Sequence, residues 1–445
     1  MNFKKLFSDC FNTDFDVAKR NFVQSLTAHD KSHSEIYFEN SNSFLLEYVN
    51  GVFITDSTSS QSGFSERSIE KESVSFSAKS ISGLYDIKNS PSVIRPFNPV
   101  SLTNKKRKNI LIKAEAKILP KNSSIDGLAL KWQTNDKFIT LLNSKEFYNF
   151  RIESLAALSI NLKIKKHGTF YEGKSAFSAV NEKMAFTVDR IAGLIESALS
   201  DAENKSNSVV VEPGSFDVVF DSGFGGLVFH ELVGHLLEAD YVTNQNTLFK
   251  NCIGQKIADG QITILDACLN DGIVNYKFDD DGVEAGKTVL VENGILKNYI
   301  SDQYHEEVHN ITSTGNGRRQ SYKDLPLPRM TNTMVLKGTF SQQEILESVK
   351  KGLFVTDPGD GTVNTLTGDF TFANVEGFIL ENGKPTKPFH GIEFSGNVKD
   401  TLNNIKMIGD DFRMADVHAD CIKENQILPV GFGSPYLKIK NIYVR

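Results

Sequence analysis

Residues 223–240 read GFGGLVFHELVGHLLEAD and follow FDVVFDS at 216–222, an apolar run that alternates as a strand does and ends in Asp221 and Ser222, two helix-capping residue types. The pattern predicts a strand that turns into a helix. On that helix His230, Glu231 and His235 form HExxxH, two imidazoles and a carboxylate, which is the inventory for a divalent metal and a general base. Leu227, Val228, Phe229, Leu232, Val233, Leu236 and Leu237 make the helix apolar nearly all round, so it is expected to be buried. Buried His and Glu need partners, and one metal ion would serve all three.

On a regular α-helix, residues five apart point about 140° away from each other and lie about 7.5 Å apart along the axis. The helix is therefore expected to widen locally, as a π-bulge does, or else the metal sits to one side and a distant residue completes it. Gly234 is the expected place of the distortion, leaving bare backbone for an ion or substrate to approach.

A chain of 445 residues with 40% hydrophobic content has room for about two to three domains. Its 49 basic and 55 acidic residues give a formal charge of −6, which argues against a nucleic-acid footprint. The basic cluster Lys105, Lys106, Arg107, Lys108 lacks interleaved aromatics and reads as a solvated face. MNFKKLFSDCFNTDFDVAKR at the start shows no long apolar core or cleavage site, so no signal peptide is expected, and no apolar run approaches a membrane span. Cys10, Cys252, Cys268 and Cys421 are scattered without paired spacing, which predicts a reducing, cytoplasmic setting.

Residues 14–28 read as a helix, then EIYFEN at 35–40 and FLLEYVNGVFIT at 44–55 as strands, the second broken by a hairpin turn at Asn50-Gly51. Alternation continues through 73–79, and a further pair of strands is expected between 147 and 173. Residues 180–199 carry apolar side chains at helical spacing, while SDAENKSNS at 200–208 is polar and without period. The domain boundary is placed there, giving a mixed α/β domain at 1–205 and a β-rich domain at 206–445. In the second, Asn-Gly pairs inside 289–300 and 378–389 predict hairpins. SQQEILESVKK at 341–351 predicts a helix with a Ser341/Glu344 capping box and Gly352 as its stop. The expected class is α+β.

His305-Glu306-Glu307-Val308-His309 matches HExxH, whose histidines share a helix face. Its polar flanks and the Gly-rich turn after it offer no buried platform, so it reads as an exposed helical turn. The true centre needs a third ligand. Cys421 is first choice, since a thiolate suits zinc and leaves one tetrahedral position open, with Cys252 and then His418 as rivals. The stretch Thr314–Tyr322, TGNGRRQSY, and LPRMTNT at 327–333 are dense in glycine and donors. As plain structure they are turns with solvated arginines; functionally, Arg318 and Arg319 would hold a substrate carbonyl or carboxylate.

FHELVGH at 229–235, TGNGRRQSY at 314–322, LPRMTNT at 327–333 and the segment from Cys421 to PVGFGSP together resemble the TldD branch of the TldD/PmbA metallopeptidases, over most of 209–445. The resemblance implies a cytoplasmic peptidase in which His230, His235 and Cys421 hold a zinc-like ion and Glu231 is the catalytic base. It implies that HEEVH at 305–309 is incidental. It also implies a homodimer, or a heterodimer with a PmbA-like subunit that lacks the metal motif, enclosing the site in an inner cavity. On this reading the ion polarises a peptide carbonyl and activates water, while Glu231 moves the proton. Substrates would be unfolded peptides bound as an added strand, with no nucleic acid and no membrane involved. Two other readings stay open: a non-catalytic partner subunit, and a regulatory binding protein of the same family.

Overall fold

Alternation of buried and exposed side chains, more than apolar content, builds the first sheet. The computed structural model describes residues 4–5, 7–8, 14–26, 33–80, 101–145, 148–244, 247–270 and 272–445. Cys10 and the last two residues of the predicted 14–28 helix lie outside them. Six antiparallel strands run in the order Ser73–Ser80, Val52–Glu70, His33–Val49, Ile125–Asn143, Tyr148–Lys166 and Thr169–Ala179. Leu128, Leu130 and Trp132 on one strand and Leu158, Ile160 and Leu162 on the next point to one face. That face packs on the helices Asn104–Ile118 and Val188–Ser206. The helix Phe15–Leu26 covers a separate cluster with Phe38 and Phe138.

Three readings change here. The strand expected at 35–40 and the first arm of 44–55, up to the Asn50-Gly51 turn, are one strand, because the polar link between them is paired inside the sheet: Asn40 Nδ2 donates to Ser62 Oγ at 2.6 Å and Asn42 Nδ2 to Asn40 Oδ1 at 3.1 Å. The basic cluster opens the helix Asn104–Ile118, and Arg107 is buried against Glu182, Nε to Oε1 at 2.6 Å, rather than solvated. The polar stretch 200–208 is helical to Ser206, because Ala202 packs inward while its polar neighbours face out.

The second half holds two larger sheets. In one, Gln426–Ser434 pairs in parallel with Asn332–Val335 and antiparallel with Ala419–Lys423. In the other, Lys351–Asp357, Gly214–Phe220, Leu437–Val444, Lys384–Asn397 and Asp369–Glu381 follow one another, and the last pairs back on the first. Five strands thus close into a barrel, which removes most free edges. Asp360–Val363 is added outside the ring, alongside residues 370–373.

Both predicted Asn-Gly hairpins form, with Asn293 and Asn382 at positive φ before Gly294 and Gly383. The capping box also forms on the helix Gln342–Glu347. That helix ends earlier than expected, however, and Gly352 lies in the strand Lys351–Asp357. The chain is α+β, as its elements predict.

Candidate metal centre

The barrel strand Gly214–Phe220 leads into a helix at Gly225–Phe229. Asp221 and Ser222 do not cap it with their side chains; Phe224 precedes its first residue and the start is held by backbone bonds and packing. Val228, Phe229, Leu232, Val233, Leu236 and Leu237 are all buried in one cluster with barrel residues Val218 and Phe372 and sheet residues Ile264 and Leu290. Each fully buried Leu contributes about 1.5–3 kcal/mol, which offsets the poor helix propensity of Gly225, Gly226 and Gly234.

His230–Gly234 is a π-turn, closed by the His235 N–H donating to the His230 carbonyl. The turn solves the five-residue spacing: the two imidazoles meet with ring centroids 5.0 Å apart and planes at 81°. Gly234 does not expose bare backbone. Met330 fills the space, and a Cβ at position 234 would lie 1.8 Å from its Sδ.

Cys421 comes to the same place from the strand Ala419–Lys423, its Sγ 3.5 Å from His235 Nε2. One ligand atom each from His230, His235 and Cys421 lie within 4.8 Å of one another, and among the described residues no other set of three or more His, Cys, Asp or Glu side chains does so. Burial opposes a charge on Cys421, yet His235 and His230 outweigh it and bring its pKa down to about 4. Buried and bearing no hydrogen bond, His230 Nδ1 is an orphaned polar atom of the kind a coordinated ion explains. Two nitrogens and a thiolate form a donor set that fits zinc. Glu231 lies beside them; burial raises its pKa, against the pull of both histidines. No hydrogen bond occupies its carboxylate among the described residues.

The rivals are engaged elsewhere. Cys252 Sγ donates to the Lys250 carbonyl, and His418 Nδ1 lies 2.7 Å from Ser178 Oγ. HEEVH does form a helix, Gln303–His309, but it is not an exposed turn: His305 is 3% exposed and its Nδ1 lies 2.6 Å from Asp302 Oδ1. Asp302 caps that helix and draws its first turn into the fold.

The donor-rich stretches pack around the candidate ligands and against the first sheet. Arg329, fully buried, donates from Nη2 to the Cys421 carbonyl at 2.5 Å. Pro328 lends its carbonyl to Lys423, and Met330 packs on Gly234. Arg318 donates to the carbonyls of Met330 and Pro429. Arg319 is neither solvated nor open: it is 2% exposed, pairs with Glu35, and donates from Nη2 to the Asp280 carbonyl at 3.0 Å. Both arginines line a cavity of about 440 Å³ with Tyr37, Arg151 and Pro429.

Sequence reasoning missed Glu238 and Lys423, and took Arg329 and Met330 only as part of the donor-rich stretch 327–333. Glu238 stands three residues after His235 and Lys423 two after Cys421, so helical and strand spacing from the candidate ligands was the available signal.

Comparisons with known proteins give the family. The family model described as the PmbA/TldA metallopeptidase C-terminal domain matches residues 213–445. A protein named "Metalloprotease TldD homolog" from Buchnera aphidicola subsp. Acyrthosiphon pisum is 34% identical over 298 residues, which is 64% of this chain and 61% of that protein. A "Zinc metalloprotease TldD homolog" from Saccharolobus solfataricus is 36% identical over 54% of each chain. Among solved structures, TldE from Thermococcus kodakarensis shares the fold at a TM-score of 0.71 and 17% identity, covering 96% of this chain and 99% of that one. Because the matched region contains the π-turn, both histidines, Glu231 and the Cys421 strand, the chain belongs to the PmbA/TldD metallopeptidase family.

Proposed function

We propose that this chain is a metal-dependent peptidase that hydrolyses extended, unfolded peptides. His230, His235 and Cys421 hold a zinc-type ion and Glu231 is the general base. The observation that carries the reading is the convergence of the three donors within 4.8 Å beside the half-buried Glu231 carboxylate. The zinc named for one relative and the soft donor set both favour that metal. When bound, the ion supplies Lewis-acid polarisation of the scissile carbonyl and acidifies water. Glu231, its proton affinity raised by burial, takes the proton of the attacking water and returns it to the leaving amine.

The strand Asp360–Val363 supports an extended substrate. It lies against Glu231 at Gly361, and has a neighbour on one edge only among the described residues. A peptide added to its open edge would run past the base, held by main-chain bonds that read no sequence. The proposed division at 205/206, at the end of the helix Val188–Ser206, gives the whole centre to the second domain. Pairing with a second copy or with a TldE-like subunit would enclose the site, and a reducing cytoplasm would keep Cys421 free. No helix among the described residues is long and apolar enough to cross a membrane.

The test is metal content per chain together with cleavage of an unstructured peptide. Wild type should carry about one ion and cleave, Cys421→Ala should lose both, and Glu231→Gln should keep the ion while turnover falls by roughly 10²–10⁴. Cleavage by Glu231→Gln at the wild-type rate would remove Glu231 from the chemistry and favour a non-catalytic subunit.

A further inference from the structure

We propose that Glu238 and Lys423 form a positioning pair that fixes His235 in the tautomer able to hold a metal; the inference rests on the metal reading above. His235 turns Nε2 toward Cys421 Sγ, at 3.5 Å, and Nδ1 toward Glu238 Oε2, at 3.0 Å. An ionised carboxylate only accepts, so Nδ1 carries a ring proton and Nε2 is left as the nitrogen that faces the other ligands. That is the geometry by which a carboxylate behind a histidine sets ring orientation and strengthens it as a ligand.

Glu238 could not do this alone. It is 0% exposed, and an isolated carboxylate there would be too costly to keep charged. Lys423 Nζ lies 3.1 Å from the same Oε2, and is itself held by Asp240 Oδ1 at 2.7 Å, by the Pro328 carbonyl at 3.0 Å and over the Tyr241 ring at 4.6 Å. The ammonium therefore keeps Glu238 charged and fixed.

Strand geometry ties the two halves of the centre together. Cys421 and Lys423 are two residues apart and both point inward, while Ile422 between them is 68% exposed. One short strand thus supplies the thiolate directly and, two residues on, the anchor for the opposite ligand. Arg329 and Pro328, adjacent in the chain, grip that strand at the Cys421 carbonyl and the Lys423 ammonium. A shift of the strand would move both ligands at once.

Three variants test the pair. Glu238→Met removes the acceptor at similar volume, Glu238→Gln keeps an acceptor oxygen, and Lys423→Met removes the anchor. Two readouts are taken: the zinc dissociation constant by competition with a chromophoric chelator, and the His235 tautomer from nitrogen NMR shifts of histidine-labelled, metal-free protein, assigned against His235→Gln. Wild type should show Nδ1 protonated and hydrogen-bonded. Glu238→Met should lose that form and bind zinc about 10–100-fold more weakly, Glu238→Gln should recover most of both, and Lys423→Met should weaken zinc about tenfold. A folded Glu238→Met with wild-type affinity and unchanged His235 shifts overturns the proposal. Should that variant not fold, the same result in Lys423→Met does so. If wild type itself holds no zinc, the metal reading falls, and the nitrogen shifts still decide whether Glu238 sets the His235 proton.

Discussion

Met330 occupies the volume that any side chain at Gly234 would need, its Sδ 1.8 Å from the position of a Cβ there. Gly234→Ala should therefore overpack the π-turn, costing about 1–3 kcal/mol and displacing His235. Met330→Ala alone should cost about 2–5 kcal/mol through the cavity it leaves. The double variant should be less destabilised than the two changes added together. Thermal unfolding with zinc content checks this, and simple additivity would break the relationship.

Gly361 holds a comparable place beside the base. A Cβ there would fall 2.6 Å from Glu231 Cγ and 2.6 Å from the Phe372 ring. Gly361→Ala should keep the metal while moving Glu231, and a displacement of about 1 Å is enough for roughly a 10²-fold loss of turnover. Unchanged turnover, with zinc retained, would show that Glu231 tolerates the crowding.

In metal-free protein Cys421 should be a thiolate at neutral pH. The ultraviolet thiolate difference between wild type and Cys421→Ala should persist as pH falls and vanish only through about 4. Because the folded pKa is depressed from an ordinary 9.0, the thiolate's contribution to stability is complete above 9.0, shrinks below it and is gone once pH passes below about 4. Cys268, whose thiol is pushed up to about 11 by burial, first, and by Asp266, adds no signal at neutral pH. A difference signal that disappears near pH 8–9, the range of an ordinary thiol, would contradict the pairing with His235 and His230.

Arg319 and Glu35 join the second half to the first sheet, both fully buried or nearly so, with Arg67 Nη2 also 2.8 Å from Glu35 Oε2. Burial alone would raise the Glu35 pKa, but Arg67 and Arg319 hold it well below the usual carboxylate range. Arg319→Met should destabilise by about 3–5 kcal/mol, and Glu35→Gln added to it should recover part of that loss. Denaturant midpoints would read both effects. Zinc stoichiometry should stay at the wild-type value below the transition.

The HExxxH helix was legible because its chemistry and its burial are local: seven apolar residues surround two histidines and a glutamate within eleven positions, 227–237. The π-turn was one of the two outcomes left open by a five-residue spacing that a regular helix cannot use. The strand Ile125–Asn143 was not legible, because Thr134 and Asp136 occupy buried positions where apolar residues would announce it. Asp136 is accommodated by Ser101 and Ser154, partners that only the folded chain supplies. Arg319 shows the same limit at longer range: the sequence displays its charge, but its partner Glu35 lies 284 positions away. The support offered by Glu238 and Lys423 was hidden for a related reason, since it exists only once helix and strand face each other.

Cys421 enters the chain 186 positions after His235, and the barrel strand Leu437–Val444, which separates Gly214–Phe220 from Lys384–Asn397, comes later still. The histidines are thus synthesised long before the sulfur that faces them. On the proposed reading a chain still on the ribosome carries an incomplete centre, and peptide hydrolysis would begin only after translation has passed these residues. Neighbouring nascent proteins would then meet no working protease in the half-made molecule.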